Sequence, residues 1–348
     1  MRIGILTSGG DCPGLNATIR SVVVQGEKEG YEIIGFIDGW AGVLENRWRK
    51  LTEGEVEDIH RQGGTILFTC RTNPYKETKG LERVKDTLKK NRIDALVAIG
   101  GDDTLGVAHR LCSEGIKIVG IPKTIDNDLS ATDYTLGFDT AINIAVEAMD
   151  RLHSTARSHH RVMVVEIMGR HTGWMTLEAG IGGGAHIILI PEVPFDLDEV
   201  CRTLRERKNL GKGYSIVAVA EGAKVARGSK LLTQEVAKEV KTDAFGNILL
   251  GGVGEVLAKE IASRTGLETR SVILGHLQRG GSPSAFDRFL ATRFGIKAVE
   301  LIKEGKFSQM VSLKGTDIIS VPLKDAVERT KYVPIDWYNR LVGPFWGR

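Results

Sequence analysis

Four carboxylates, Asp102, Asp103, Asp126 and Asp128, lie in two short segments, GGDDT at Gly100–Thr104 and PKTIDND at Pro122–Asp128, beside Lys123, Thr104 and Thr124. Crowding like charges is unfavourable unless a cation or a proton-transfer role offsets it. A hard metal such as Mg²⁺, held by one or two carboxylates and by substrate phosphates, would do so. A single acidic turn is often only a solvated loop. Two of them at neighbouring strand ends call for chemistry.

The elements that must carry these residues follow from the flanking pattern. Ala95–Ile99 and Ile116–Ile121 are short apolar runs bounded by turn residues, as expected of strands in a parallel sheet buried on both faces. Between them Leu105, Ala108 and Leu111 give Thr104–Ser113 a helical spacing. The unit is therefore strand, acidic turn, helix, strand, acidic turn, and ligands of open α/β sheets bind at the carboxyl ends of such strands. Ile3–Leu6 is another strand, and Gly9 and Gly10 then remove side chains where backbone would approach a ligand, ahead of a helix whose first N–H groups suit an anion. Gly10 is the candidate phosphate contact. Arg71, after the apolar run in RQGGTILFTC, has a guanidinium that matches phosphate geometry. No GxGxxG follows a strand, which argues against a nicotinamide cofactor.

Further along, Tyr31–Gly39 predicts a strand, and Ile142, Ala145, Val146, Met149 and Leu152 predict a long amphipathic helix into a second lobe. Strand Val162–Ile167 ends at Met168, Gly169 and Arg170. Strands Ile187–Ile190 and Tyr214–Ala220 follow, the latter ending at Glu221, and Ser271–Leu274 is the last clear strand. The glycines from Gly180 to Gly184 precede a strand, so close helix packing is expected of them rather than a phosphate loop. His159 and His160 are adjacent and share no helical face, which suggests a basic surface patch. Asp287–Lys303 predicts a helix, and Trp337, Tyr338, Phe345 and Trp346 read as packing.

With 348 residues the chain exceeds what one hydrophobic core usually supports, so an α/β protein of two lobes is expected. Its formal charge of +3, from 47 basic and 44 acidic residues, argues against nucleic-acid binding as the main task. Cys12, Cys70, Cys112 and Cys201 form no CxxC pair and fit reduced thiols in a cytoplasmic protein. The opening MRIGILTSGGD meets polar residues too early for a signal peptide, and no apolar run approaches membrane-spanning length.

Five blocks in order, TSGGDCPGLN, GGDDT, PKTIDND, MGR at Met168–Arg170 and LGHLQRGGSPSAFDR at Leu274–Arg288, resemble the phosphofructokinase family. The resemblance implies two similar lobes, each a mainly parallel sheet flanked by helices, with the active site in the cleft between them. Residues 1–137 with 278–328 would form the phosphoryl-donor lobe, and 138–277 with 329–348 the fructose 6-phosphate lobe. The implied reaction is phosphoryl transfer to the 1-hydroxyl of fructose 6-phosphate, in which positioning and charge neutralisation dominate. Asp126 is then the base, supported by Asp128, with Thr124 beside it as a further substrate contact, and Asp102 the Mg²⁺ carboxylate. Gly10, Arg71 and Thr104 fall on the donor. Arg161, Arg270, His276 and Arg279 match the sugar-phosphate cations, with Met168, Gly169, Arg170 and Glu221 around the sugar and Arg170 also stabilising transition-state charge. Arg161 and Arg270 would serve a neighbouring subunit's site, implying a homo-oligomer, dimer or tetramer.

The donor is decided at two positions. ATP-using members of the family carry Gly where this chain has Asp103 and Lys123. A carboxylate at 103 occupies the space of a nucleotide and repels its phosphate, while a compact ammonium at 123 could hold a second phosphate. The pattern resembles the pyrophosphate-dependent branch, whose reaction is reversible. The alternative is an ATP-dependent enzyme of the same fold; kinases of NAD or lipids would not need MGR or LGHLQRGG, and a silent sugar-phosphate sensor would not need a base. Arg20 and Lys212 keep the pattern of an allosteric effector site, but Val24, Glu53, His153 and Leu210 depart from it, so weak or absent allosteric control is expected. The 224–252 connection is longer than in compact ATP-using bacterial members.

Overall fold

A computed structural model describes residues 1–226, 241–242, 248–249 and 252–347 of the chain. Two compact units emerge, Met1–Thr140 with Arg279–Lys331, and Ala141–Gln278 with Tyr332–Arg348. In chain order the strands are β1 (Arg2–Thr7), β2 (Glu32–Phe36), β3 (Trp48–Leu51), β4 (Ala95–Gly100), β5 (Ile118–Pro122), β6 (Val162–Ile167), β7 (Ile187–Leu189), β8 (Ser215–Ala220), β9 (Lys241–Thr242), β10 (Ile248–Leu249), β11 (Thr269–Ile273), β12 (Gln309–Lys314) and β13 (Asp317–Pro322).

The first unit holds a seven-stranded sheet in the order β13-β12-β5-β4-β1-β2-β3. Its interior pairs are parallel and its outermost pairs, β12 with β13 and β2 with β3, antiparallel. Strands β4 and β5 are buried at every residue, so their unbroken apolar sequence is what a two-sided core requires. Register aligns Gly100 of β4 with Pro122 of β5 and Ile99 with Thr7 of β1, which brings three carboxyl ends to one edge. The second unit carries an all-parallel sheet in the order β11-β6-β8-β7. Its helices Leu197–Asn209 and Val253–Thr265 bury Val200, Leu204, Leu257 and Ile261 in a core with Val164, Leu189 and Val217.

Three expectations change. The helix expected from Thr104 begins at Asp102, so Asp102 and Asp103 occupy its first turn, where the positive end of the helix dipole favours carboxylates. Ser271–Leu274 is not the last strand: β12 and β13 form a hairpin around Gly315 and extend the first sheet beyond β5. Strand β13 is exposed or half-exposed along its length, and an edge strand needs no apolar run to announce it. Phe345 is exposed, unlike the rest of the aromatic tail. Tyr338 is buried and its phenol donates to the Ile188 carbonyl of edge strand β7 at 2.6 Å, while Trp346 Nε1 donates to Thr203 Oγ1 at 3.2 Å. Arg207 reaches the Gly347 carbonyl at 3.0 Å, and Gly347 N–H donates to His186 O at 2.8 Å. The Gly180–Gly184 run does pack closely, since a Cβ on Gly180 would lie 2.8 Å from Ile188. His159 and His160 are both exposed. Most of the 224–252 connection lies outside the described residues.

Candidate active site

The first unit gathers Gly10, Asp102, Asp103, Thr104, Lys123, Thr124, Asp126 and Asp128 at the carboxyl ends of β1, β4 and β5. The Asp126–Asp128 segment is held by Asn127, Thr124 and Lys331. Asn127 is buried and adopts a left-handed conformation, φ 51°, which asparagine tolerates better than most residues. Its Oδ1 accepts from Thr135 N–H at 3.1 Å and from Lys331 Nζ at 3.0 Å, and its Nδ2 donates to the Asp133 carbonyl at 3.2 Å. Thr124 Oγ1 accepts from Asp126 N–H at 3.1 Å, and Lys331 N–H donates to the Asp128 carbonyl at 2.8 Å. Asp126 and Asp128 are half-buried on either side of that anchor.

Like charges meet here. Burial, then Asp126, then Asp102 push the Asp128 carboxyl up to about 7. Among the described residues no three His, Cys, Asp or Glu side chains form a ready-made metal cage. Mutually repelling carboxylates without a closed cage fit a metal held largely by water and ligand phosphates. Asp102 and Asp103 are exposed and line a cavity of about 380 Å³ with Asn73, Gly106, His109 and Arg110. The Arg110 guanidinium lies over the Tyr75 ring, 3.6 Å from its centroid.

The donor-side residues differ in exposure. Arg71 is exposed and follows Cys70, whose carbonyl accepts from Gly9 N–H at 3.0 Å, so it stands beside the β1 turn. Lys123 is only 3% exposed. Arg279, expected among the sugar-phosphate cations, belongs to the first unit, where its Nη1 donates to the Asp11 carbonyl at 3.2 Å. A Cβ on Gly10 would lie 2.5 Å from that nitrogen, so a side chain at position 10 would displace the Arg279 guanidinium.

The second unit brings Met168, Gly169 and Arg170 to the carboxyl end of β6, Glu221 to that of β8 and His276 just beyond β11. Gly169 has φ 136°, a conformation that a side chain would strain, and its carbonyl accepts from Gly222 N–H at 3.2 Å. Arg161 and Arg270 are not part of this group. They lie toward the opposite end of β6 and β11, where Arg270 pairs in register with Met163. Both reach Glu268 Oε1, at 2.7 and 3.1 Å, and Arg161 is the main cause that lowers the Glu268 carboxyl.

Sequence reasoning passed over Asn127, Lys331 and Asp287. Asp287 is fully buried, and its carboxylate accepts from Gly137 and Thr140 N–H, each at 2.9 Å, joining the starts of helices Phe138–His159 and Ala285–Lys303. Ser284 Oγ caps the second helix by accepting from Asp287 N–H at 3.1 Å. A Ser-x-x-Asp spacing before an apolar helix was the available signal. The effector-like positions are scattered in use: Arg20 Nε donates to the Glu57 carbonyl at 3.1 Å, and His153 meets Tyr214 and the Gly183 carbonyl at 3.1 and 2.7 Å.

A family profile described as phosphofructokinase matches residues 2–302. The chain is 55% identical over 341 residues, 97% of its length and 98% of the relative's, to a protein of Amycolatopsis mediterranei named pyrophosphate–fructose 6-phosphate 1-phosphotransferase. It is 50% identical, with the same coverage, to a Mycobacterium leprae protein named ATP-dependent 6-phosphofructokinase. Among solved structures it resembles the Pichia pastoris phosphofructokinase at 34% identity and a TM-score of 0.82, covering 94% of this chain and 35% of that longer one.

Proposed function

The chain belongs to the phosphofructokinase family, and within that family we propose that it transfers a phosphoryl group from pyrophosphate, not ATP, to the 1-hydroxyl of fructose 6-phosphate, reversibly. One observation carries the donor choice: Asp103 stands exposed in the first turn of the helix after β4, beside Asp102, and both line the same cavity. A fixed carboxylate there repels the inner phosphate of a nucleotide, and a penalty of about 3 kcal/mol is a hundredfold in affinity. The Amycolatopsis relative supports the same reading.

Asp126 takes the hydroxyl proton, with Asp128 beside it. Arg170, Met168, Gly169, Glu221 and His276 hold the sugar phosphate. Asp102 holds Mg²⁺, which supplies charge neutralisation on the donor phosphates. The site uses two copies of the chain, as the family resemblance implies; the distance of Arg161 and Arg270 from Arg170 along their own strands supports this reading. Saturation by fructose 6-phosphate is hyperbolic and insensitive to ADP, since Val24, Glu53, His153 and Leu210 depart from the effector-site pattern and His153 is engaged with Tyr214 and the Gly183 carbonyl. The scattered, unpaired-in-sequence cysteines support a cytoplasmic setting; separately, no helix among the described residues is long and apolar enough to cross a membrane.

A coupled assay with pyrophosphate and ATP tests the donor. Pyrophosphate turns over and ATP does not, and Asp103→Gly lowers kcat/KM for pyrophosphate by about tenfold or more while admitting ATP. Efficient ATP use by the unaltered enzyme would establish the ATP-dependent alternative, which the Mycobacterium relative keeps in view.

A further inference from the structure

The sequence pattern behind the proposed donor lies at Asp103 and Lys123, yet the two side chains are placed in opposite ways. Asp103 is exposed; Lys123 is 3% exposed, with its ammonium inside the protein. Lys123 Nζ donates to the Ser8 carbonyl at 3.2 Å and to the Gly10 carbonyl. Burial pushes its pKa down, and a charge withdrawn from water must be met by acceptors. Here the acceptors are main-chain oxygens.

The rest of that turn is treated alike. Thr69 Oγ1 donates to the Gly9 carbonyl at 2.7 Å, and Arg279 Nη1 donates to the Asp11 carbonyl at 3.2 Å. Each carbonyl from Ser8 to Asp11 is thus bound by a side-chain donor from elsewhere in the first unit. A carbonyl oxygen aimed at a phosphate repels it, whereas the N–H side of a turn attracts it. Two of the four donors belong to one ammonium.

We propose that Lys123 is a positioning residue, which serves pyrophosphate by drawing the Ser8 and Gly10 carbonyls away from the donor so that the Gly9–Gly10 backbone can meet it, and does not itself touch the phosphate. The inference rests on the donor reading and deepens it. It makes the two specificity positions physically distinct: Asp103 excludes a nucleotide by facing it, and Lys123 shapes the main chain from behind. What matters at 123 is then the capacity to donate hydrogen bonds to carbonyls, with the charge itself secondary.

Two variants separate the alternatives. Lys123→Met removes the donors and keeps an unbranched stem matched in reach to glutamine, and it raises KM for pyrophosphate by about tenfold or more. Lys123→Gln restores neutral donors without charge, and it recovers at least about half of that loss on a logarithmic scale. KM for fructose 6-phosphate stays within about twofold in both, which a general loss of structure would not allow. Gln as poor as Met would overturn the inference, because direct charge contact predicts that result. A crystal structure of the unaltered enzyme with methylenediphosphonate and Mg²⁺ decides independently of how the variants fold. Lys123 Nζ remains on Ser8 and Gly10; a phosphonate oxygen within hydrogen-bond reach of Nζ overturns the inference. Should the assay find ATP to be the donor, the donor reading fails alone, and the same crystal experiment with a non-hydrolysable ATP analogue still judges Lys123.

Discussion

Asp128 shows how a single side chain ties the site to its chemistry. Its carboxyl is raised to about 7 first by burial and then by Asp126 and Asp102, so protons bind to this group of carboxylates well above the ordinary range. A base must be ionised to accept a proton, and the free-enzyme limb appears in kcat/KM. An ionised Asp128 puts negative charge beside the base, so the profile of kcat/KM for fructose 6-phosphate rises with pH through about 7 as Asp128 loses its proton. Replacing Asp128 by Asn removes that titrating group and with it the limb near 7, while Asp126→Asn lowers kcat by about a hundredfold or more at every pH. Rate profiles of the three proteins check this, and a limb unmoved by Asp128→Asn would separate it from Asp128. Asp102, Asp103, Asp126 and Asp128 were legible in the sequence because acidic residues directly after buried strands have few other uses. The anchoring role of Asn127 was not legible: it depends on a left-handed φ and on Lys331, 204 residues away.

At the level of elements, the helices Phe138–His159 and Ala285–Lys303 begin at a common knot centred on Asp287. Burial is the chief cause that raises the Asp287 carboxyl from 3.8 to about 6, against the hydrogen bonds from Thr140 and Gly137. The folded protein thus holds this proton more tightly than the unfolded chain. The resulting stabilisation is complete below about pH 4 and is lost as pH rises through about 6. A rise of that size is worth about 3 kcal/mol. Denaturant unfolding of the wild type and Asp287→Asn checks it: the wild type's advantage shrinks by roughly that amount between about pH 4 and about pH 7, and a constant difference would contradict the assignment. The apolar strands of both sheets could be read from their buried runs, whereas β12 and β13 could not. A short hairpin with an exposed outer strand leaves almost no periodic signal, and its place in the sheet is set by β5, far earlier in the chain.

For the whole molecule, the composition of the proposed site from two copies of the chain has a measurable signature. Asp126→Asn and Arg161→Ala are each nearly inactive alone. Mixed one to one and allowed to exchange subunits, they form hybrids in which one of each pair of sites is intact, so activity returns to about a quarter of wild type. No recovery after demonstrated exchange would mean that Arg161 does not cross to another copy. The sequence alone suggested that sharing only through resemblance; within one chain, Arg161 and Arg270 flank Glu268 while Arg170 follows the opposite end of strand β6.

The closing residues of the chain fasten down an otherwise open border of the second sheet, with Tyr338 on the carbonyl of Ile188 and Gly347 on that of His186. Trimming them in expression work would leave an unprotected template for stray strands from other molecules, so clumping, more than lost catalysis, is the hazard of working with a shortened form.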